Sequence, residues 1–380
     1  MELILKQYDI PLLRFSATND SSTPEIEVHW INEDQRHLLP LDMELSPEGI
    51  SRWMRRRTIP RNRAYVNRLL AKCGLNANRP MGILALCKGL SVDDSYWVVE
   101  EGFEGTFEKY NLFENRFSEV LALIAFTGYG SSNRSSLASS PEFTTNGMLP
   151  KCWRRISGKV TLYKGGTDGG YNTGAEPYCE YYAAQVAAAM GIDAIPYGLS
   201  QWKGRLCSTC ELFTDIDHAY MPIGNLVQRG GFDAVAAYYE KLGEPFQKAF
   251  RDMLAFDAVI CNTDRHYGNF GFMIDNKTNT IAAPAPLFDH GNSLFNQAGP
   301  EDYESPEAFQ QYIDTLVPCV YDDFFATAKR FMTDENREQL RKLLGFRFKR
   351  HVRYNLPPKR LKLMEEQVRK RAMRLLENKD

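Results

Sequence analysis

One polar segment, Asn262-Thr-Asp-Arg-His-Tyr-Gly-Asn269, carries the residue types that point most clearly to chemistry. It follows an apolar, helix-like run at residues 253–261, and a strand-like run comes directly after it. A loop between a helix and a strand can present Asp264, His266 and Asn269 from a rigid scaffold. This segment is therefore the candidate functional centre.

A second polar cluster, Pro286-Leu-Phe-Asp-His-Gly-Asn-Ser293, places Asp289 directly after an apolar run. Phosphoryl transfer needs an acceptor that orients the attacking hydroxyl, hard oxygen ligands for Mg²⁺, and a cation on the phosphates. Asp264 offers the acceptor, and Asn269 offers an amide oxygen. Because Mg²⁺ prefers oxygen ligands and keeps waters, Asn269 and Asp289 would suffice to hold it with the phosphates of ATP.

The required cation points upstream to Lys164, which ends a strand-like run at residues 159–164. The glycines that follow it let a phosphate approach the backbone closely. Glu180, on the next helix-like stretch, is placed to hold the lysine. The lysine, the glutamate, the aspartate–asparagine pair and the final aspartate form an ordered set that favours an ATP-dependent kinase.

Other interpretations of these residues stay open. A single Asp or Asn in a loop more often forms a turn or a cap, and a lone His266 more often braces a core by hydrogen bonds. A set of histidines and carboxylates could bind Fe or Zn, and its members would be Asp264, His266, Asp289 and His290. A hydrolase triad with Asp264 and His266 would need a serine, but no G-x-S-x-G elbow holds one.

The composition is that of a globular protein. Of 380 residues, 43% are hydrophobic and 25% are charged, and the net charge of −2 indicates neither a nucleic-acid nor a membrane partner. The amino terminus lacks a signal-peptide pattern, and no stretch approaches the roughly 18 apolar residues of a membrane span, so we expect a cytoplasmic protein. The eight scattered cysteines fit reduced thiols, and Cys207 and Cys210 lack the second ligand pair of a zinc site.

The order of strand and helix patterns predicts an α+β fold with three regions. Residues 1–110 form an N-terminal α/β region, residues 111–214 a β-rich lobe, and residues 215–380 a mainly helical lobe. Ser46-Pro47 marks the start of a helix, as an N-cap followed by proline. Two strands are expected to join around Lys203-Gly204.

Two stretches are rich in basic residues. Seven arginines lie between Arg52 and Arg68, and the stretch Arg341–Arg374 has 13 Lys and Arg against two Glu. The first could bind DNA, and the second could contact nucleic acid or anionic lipid. Solvated helix faces have the same composition, and we prefer that interpretation for both stretches.

The segments Asp264-Arg-His-Tyr-Gly-Asn269 and Phe288-Asp-His-Gly-Asn-Ser293 resemble the HipA-like bacterial serine/threonine kinases. That family is related in fold to eukaryotic protein kinases and to phosphatidylinositol kinases, which also use a D-R-H-x-x-N segment. The resemblance covers about residues 125–300. It includes three further stretches, which are Lys159–Lys164, Glu180–Ala187 and Cys210–Phe213. It implies a two-lobed, protein-kinase-like fold with a β-rich N-lobe and a helical C-lobe.

The resemblance also implies a role for each candidate residue. Asp264 is similar to the catalytic base, and Asn269 and Asp289 to the Mg²⁺ ligands. Lys164 is similar to the lysine on the α- and β-phosphates, and Glu180 to its partner. The residues implied at the nucleotide are Lys164, Glu180, Glu211, Phe213, His266, Asn269 and Asp289. Glu211 and Phe213 would offer backbone groups to adenine. The segment Thr144–Lys151 resembles the loop that covers the phosphates, although it lacks a glycine triplet.

The sequence thus predicts an ATP- and Mg²⁺-dependent serine/threonine protein kinase of HipA-like type. Some family members phosphorylate a serine in the loop before the lysine, and six serines occupy the corresponding loop here: Ser131, Ser132, Ser135, Ser136, Ser139 and Ser140. The expected partners are a protein substrate and an antitoxin-like or regulatory protein, although residues 1–110 show no obvious sequence match to the amino-terminal region of toxin-type HipA proteins. The alternatives are a lipid or small-molecule kinase and a nucleotide-sensing or DNA-binding regulatory module.

Overall fold

The computed structural model describes residues 1–18, 24–130, 140–168 and 174–377. The chain forms two compact units. The first unit comprises Met1–Lys164, Glu211–Met221 and Met273–Ala282, and the second comprises Gly165–Cys210, Pro222–Phe272 and Ala283–Asp380. The three regions with boundaries at residues 110 and 214 stay a prediction.

The first 165 residues contain both strands and short helices. In chain order they are β1 (Glu2–Gln7), β2 (Ile10–Ala17), β3 (Ile26–Ile31), α1 (Pro47–Arg56), α2 (Val66–Lys72), α3 (Pro80–Cys87), β4 (Tyr96–Glu100), α4 (Phe107–Tyr110), α5 (Glu119–Thr127), β5 (Lys151–Ile156) and β6 (Lys159–Gly165). The first four strands form an antiparallel sheet in the order β3-β2-β1-β4. Its inward side chains, such as Leu12 and Phe15, pack with Trp53 of α1 in one core.

Local signals in the sequence correctly located two boundaries. The Ser46 side chain accepts the N–H of Gly49, and Pro47 is the first residue of α1, as the N-cap prediction required. Lys203 and Gly204 have φ values of 51° and 78° and join two antiparallel strands. A two-residue hairpin loop of type I′ needs positive φ at both central positions, which explains the glycine.

Two arginines of the first basic stretch are buried inside the first unit rather than solvated. Arg57 donates to the two carboxylate oxygens of Asp94 at 2.6 and 2.8 Å. Arg63 forms an ion pair with Glu142, and both side chains are fully buried. Because both guanidinium groups are buried and already paired with carboxylates, neither is available to a DNA phosphate.

Helices dominate the remaining residues. In chain order the elements are α6 (Glu176–Met190), β7 (Gly198–Trp202), β8 (Arg205–Glu211), β9 (His218–Pro222), α7 (Ile223–Leu226), α8 (Gly231–Leu242), α9 (Glu244–Ile260), β10 (Gly271–Asp275), β11 (Thr280–Pro284), α10 (Pro306–Ile313), α11 (Phe324–Phe331), α12 (Asp334–Arg341) and α13 (Pro358–Leu376). The centre of the second unit is α9, whose residues from Phe250 to Ile260 are all buried except Arg251. It packs against α8, α11 and α13.

Some arginines of the second basic stretch are also buried or hydrogen-bonded within the second unit. Arg371 is buried, and its Nε donates to the carbonyl of Ala258 at 2.7 Å. Arg369 donates to the carbonyl of Phe346 at 2.8 Å. Arg369 and Arg371 therefore bind backbone carbonyls, whereas Arg374 of the same helix is exposed. Across the described ranges, none of the helices combines the length and apolar character that a membrane-spanning helix requires.

Candidate active site

The polar segment lies between a buried helix and a strand, as the sequence predicted. Helix α9 ends at Ile260, and Cys261 adopts a left-handed conformation with φ of 54° while its N–H donates to the carbonyl of Asp257. The loop then runs to β10, which begins at Gly271. The C-terminal half of the helix is packed in the core, so the position where the loop begins is fixed.

Hydrogen bonds within the loop set the direction of its side chains. The Asp264 N–H donates to Asn262 Oδ1 at 3.1 Å, and the Asp264 carbonyl accepts the His266 N–H at 2.8 Å. Asn269 donates its Nδ2 to that same carbonyl at 3.1 Å. Because the amide nitrogen of Asn269 is used inside the loop, its Oδ1 is the atom that remains for an outside ligand.

Arg265 is the buried anchor of the loop. Its Nε and Nη2 donate to the two carboxylate oxygens of Asp257 at 2.9 and 3.1 Å, and both side chains are almost completely buried. Burial alone would lower the pKa of Arg265, but the charge of Asp257 and the hydrogen bonds to it, followed by the charge of Asp289, raise it. The guanidinium therefore stays charged, and helix α9 and the loop are joined by an ion pair.

The same guanidinium reaches the second polar cluster. Its Nη1 donates to the Asn269 carbonyl at 3.1 Å and to the Phe288 carbonyl at 2.5 Å, and its Nη2 donates to His290 Nδ1 at 3.0 Å. Arg265 thus binds backbone or side-chain atoms on both sides of Asp289. Arg265 therefore links the first cluster to the second, 23 residues further along the chain at Phe288.

Asp289 itself is held in an unusual backbone conformation. Its φ is 54°, in the left-handed region that non-glycine residues rarely adopt. Its N–H donates to the hydroxyl of Tyr197 at 3.1 Å. Burial raises the pKa of Tyr197 well above its usual value, and the nearby charges of Glu180 and Asp289 add to this effect. Tyr197 therefore stays a neutral acceptor for this backbone bond, and no sequence signal identified it.

Asn292 is a second residue that the sequence did not single out. Its Nδ2 donates to Asp264 Oδ2 at 2.8 Å. Its carbonyl accepts both the N–H and the hydroxyl of Thr263, at 3.1 and 3.2 Å. Asn292 lies inside the polar cluster 286–293, so its position in the sequence offered a signal, but its residue type alone gave no role.

His266 braces the loop from outside. Its Nδ1 accepts the N–H of Gly268 at 3.0 Å, and the side chain is exposed. The bond fits a histidine that braces the loop, but the interpretation as a core histidine is wrong because the side chain is exposed. Its contact with a nucleotide stays a prediction.

The remaining predicted residues fall into both units. Glu180 of α6 is completely buried in the second unit and accepts a hydrogen bond from the Ser208 hydroxyl. Lys164 is buried at the end of β6 in the first unit, where it is paired in register with Lys151 of β5. The ion pair of Lys164 with Glu180 stays a prediction.

Glu211 and Phe213, predicted at the adenine, belong to the first unit. The Glu211 side chain is exposed and accepts from Lys159 Nζ at 2.7 Å. The ring of Phe213 meets the ring of Tyr220 edge to face, with centroids 5.5 Å apart. Neither side chain is needed for the predicted role, which uses backbone groups, and that role stays a prediction.

The segment Thr144–Lys151, predicted over the phosphates, folds back on itself. Lys151 Nζ donates to the Asn146 carbonyl at 2.9 Å, and Gly147 has a φ of 93°. Gly147 lies close to Lys151 Nζ, and its positive φ is a backbone conformation that glycine adopts far more readily than other residues. The segment's contact with phosphates stays a prediction.

Of the six serines considered for phosphorylation, five lie outside the described residues: Ser131, Ser132, Ser135, Ser136 and Ser139. Ser140 is described and is 1% exposed. Its hydroxyl accepts the N–H of Glu142 at 3.4 Å. A buried hydroxyl is a poor acceptor for a phosphoryl group, so its burial argues against Ser140 as a phosphorylation site.

The metal-binding alternative gains no support from the geometry. Among the described residues, no group of three or more His, Cys, Asp or Glu side chains converges as ligands for a metal ion. Cys207 and Cys210 both lie on β8, with Cys207 fully buried. The pair fits the interpretation of thiols on a strand.

Comparisons with known proteins bear on this geometry. The sequence matches no family model. It is 26% identical over 135 residues to the serine/threonine-protein kinase CtkA of Helicobacter pylori. That match covers 32% of this chain and 41% of the relative, so the chain spans less than half the length of this curated kinase.

Two known structures are similar to this one. The first is the Helicobacter pylori proinflammatory kinase CtkA, with a TM-score of 0.48 and 15% identity over 61% of this chain and 90% of that one. The second is HipA of Shewanella oneidensis MR-1, in a complex with HipB and its operator DNA. Its TM-score is 0.53 at 13% identity, over 98% of this chain and 97% of that one.

The chain has the HipA-like kinase fold. The HipA likeness extends over nearly the whole length of both chains, and the predicted α+β, kinase-like fold class is confirmed. The predicted resemblance to the HipA-like serine/threonine kinases is confirmed as well. In this HipA-like fold, the residues around Arg265 form the best-defined candidate centre of the second unit.

Proposed function

We propose that this protein is an ATP- and Mg²⁺-dependent protein kinase that phosphorylates serine or threonine hydroxyls. The observation that carries the proposal is the convergence on Arg265. One buried guanidinium fixes the loop that bears Asp264 and Asn269 and also both neighbours of Asp289. Such pre-organisation is what phosphoryl transfer asks of a protein, because the reaction depends on positioning and on charge stabilisation.

The donor atoms fit a magnesium ion. Asn269 presents an amide oxygen. Asp289 presents a carboxylate, and hydrogen bonds hold its N–H and the preceding carbonyl of Phe288. Both are hard oxygen ligands of the kind that Mg²⁺ prefers. When bound, Mg²⁺ with ATP supplies the transferable phosphoryl group and offsets the negative charge of the phosphates.

In this proposal Asp264 accepts the proton of the attacking hydroxyl. Its carboxylate is partly exposed and can be reached by a side chain of another protein. Lys164 contributes the cation on the phosphates, Glu180 orients that lysine, and the chain around Glu211 and Phe213 borders adenine. These four roles rest on the family resemblance.

The direct test is transfer of label from γ-labelled ATP in the presence of Mg²⁺, to the protein itself and to protein acceptors. Asp264→Asn keeps the size of the side chain and removes the base, so we expect labelling to fall by about 10²-fold or more. Asp314→Asn, at an exposed aspartate on the end of α10, is the matched control and should label normally. Equal labelling by the Asp264→Asn protein would contradict the assignment of the base.

The acceptor class follows from the same assay. Inositol lipids and small alcohols are offered beside the protein acceptors. Transfer to those alone would assign a lipid or small-molecule kinase instead. Nucleotide binding without any transfer would assign a nucleotide-sensing module.

A regulatory partner is a further part of the proposal. The HipA structure that resembles this chain is a complex with HipB and operator DNA. By analogy we propose an antitoxin-like protein partner here, and no direct contact with nucleic acid. When such an antitoxin-like protein is added to the transfer assay, labelling by γ-labelled ATP should fall as the concentration of that protein rises. Arg57 and Arg63 are buried, so neither side chain can contact DNA. Retention of the protein on duplex DNA at low salt would contradict the proposed absence of direct nucleic-acid contact.

A further inference from the structure

Asn292 makes the side-chain contact to the Asp264 carboxylate. The Asn292 Nδ2 to Asp264 Oδ2 distance is 2.8 Å. Within the described ranges, the Asp264 carboxylate accepts no other hydrogen bond. We propose that Asn292 is a positioning residue that sets the orientation of Asp264, an inference that rests on the proposed function of Asp264 as the base.

The amide of Asn292 is itself held in one orientation. Its Oδ1 accepts from Asn296 Nδ2 at 2.9 Å, so its Nδ2 must face Asp264. Its backbone is fixed as well, because its carbonyl accepts both donors of Thr263. Thr263 directly precedes Asp264. Asn292 therefore fixes both the backbone next to Asp264 and the carboxylate of Asp264.

The bond leaves one oxygen of the carboxylate for the substrate. Oδ2 accepts the Asn292 donor, and Oδ1 is the oxygen without a hydrogen bond in the described structure. A carboxylate rotates about its last torsion with a broad preference, so without the bond its two oxygens would exchange places. The Asn292 donor selects the orientation in which Oδ1 meets the attacking hydroxyl.

A neutral amide suits this role better than a cation. A lysine or arginine beside Asp264 would stabilise its charged form and weaken it as a base. The nearest guanidinium in the sequence, Arg265, is instead paired with the buried carboxylate of Asp257. The loop therefore receives its rigidity from an ion pair and its aspartate receives its orientation from an uncharged donor.

The first test compares Asn292→Ala and Asn292→Asp with the wild type in steady-state phosphate transfer. We expect kcat to fall by about 10-fold or more in the alanine variant, with KM for ATP within about 2-fold, because orientation and not nucleotide binding is lost. In the aspartate variant two carboxylates face each other and share a proton at low pH. Its loss of kcat should be larger, and the acid limb of its pH–rate profile should move to higher pH.

A matched control exists elsewhere in the second unit. Asn336 Nδ2 donates to Asp252 Oδ1 at 2.7 Å, which is the same kind of pair away from the loop. Asn336→Asp makes the same chemical change and should lower stability while leaving kcat and the pH–rate profile unchanged. If both Asn292 variants kept kcat and the profile of the wild type, the positioning role would be overturned.

A second measurement does not depend on activity, so it separates this inference from the proposed function. Thermal unfolding of Asn292→Asp should show a lower midpoint at pH 8 that recovers toward pH 5, about where one shared proton restores a donor. The double variant Asp264→Asn with Asn292→Asp reverses donor and acceptor and should regain the midpoint without regaining transfer. A double variant no more stable than Asn292→Asp would overturn the pairing. If the wild type transferred no phosphate but this rescue occurred, the proposed function would fail and the pairing would stand.

Discussion

Replacing Arg265 by methionine tests whether one buried ion pair holds the candidate site together. Methionine keeps most of the volume but leaves the Asp257 carboxylate, which is completely buried, without its counter-charge. Breaking a buried pair from one side costs about 3–5 kcal/mol of unfolding free energy. Since whole domains are stable by about 5–15 kcal/mol, the second unit would lose a large part of its stability.

The structure also predicts what restores the loss. Asp257→Leu in the same protein removes the unpaired charge, so the double variant should be more stable than Arg265→Met by about 2 kcal/mol or more. The double variant still lacks the donors to the carbonyls of Asn269 and Phe288. We therefore expect recovered stability without recovered phosphate transfer, because no side chain then joins the backbone at Asn269 to the backbone beside Asp289.

Urea unfolding of the three variants and the wild type measures these differences. Arg57→Met is the matched control, since it breaks a largely buried arginine–aspartate pair in the first unit. It should destabilise the protein comparably and leave the Mg²⁺ dependence of transfer unchanged. An Arg265→Met protein within about 1 kcal/mol of the wild type would refute the reasoning. So would a double variant that is no more stable than the single one.

Three further predictions follow from the described contacts. Tyr197→Phe removes the acceptor of the Asp289 N–H. We expect the free energy of unfolding to fall by about 1 kcal/mol and the Mg²⁺ concentration needed for transfer to rise. Titration of Mg²⁺ in the transfer assay measures this requirement, and an unchanged requirement would contradict the role of Asp289. Burial, followed by the charge of Asp94, raises the pKa of Asp93 to about 6. A raised carboxyl pKa means that the folded state holds the proton more tightly, so its contribution to stability is present below about pH 4 and is lost as the pH rises to about 6. Asp93→Asn should therefore gain stability over the wild type above pH 6 by about 1–3 kcal/mol, and denaturation at pH 4 and pH 7 should show the gain only at the higher pH. After incubation with ATP, mass spectrometry should find any phosphoserine of the serine-rich loop among residues 131–139, and a modified Ser140 would contradict its burial.

The arginines show where sequence reasoning reaches its limit. The count of basic residues in 52–68 is evident from composition, and a solvated face was the ordinary interpretation. The structure instead buries Arg57 and Arg63 against carboxylates that lie 37 and 79 residues away. A charge pattern shows how many cationic side chains a segment carries. Whether an arginine has a buried carboxylate as its partner depends on which distant segment the fold places beside that arginine.

Local features were determined by the sequence itself. The N-cap of α1, the Lys203-Gly204 hairpin and the helix–loop–strand order around Asp264 each depend on neighbouring residues. The backbone conformations that serine, proline and glycine favour are properties of a few adjacent positions. The types and spacing of Asp264, Asn269 and Asp289 are likewise local features, and they are the basis of the chemistry that we propose.

The tertiary structure alone decided how those residues are held. Arg265 pairs with Asp257 across 8 residues, Asn292 reaches Asp264 across 28, and Asp289 donates to Tyr197 across 92. None of these bonds follows from propensity or pattern, because each depends on the packed position of a separate element. The sequence by itself determined which groups could act, and the fold determined which atoms of those groups are fixed and which are left for a ligand.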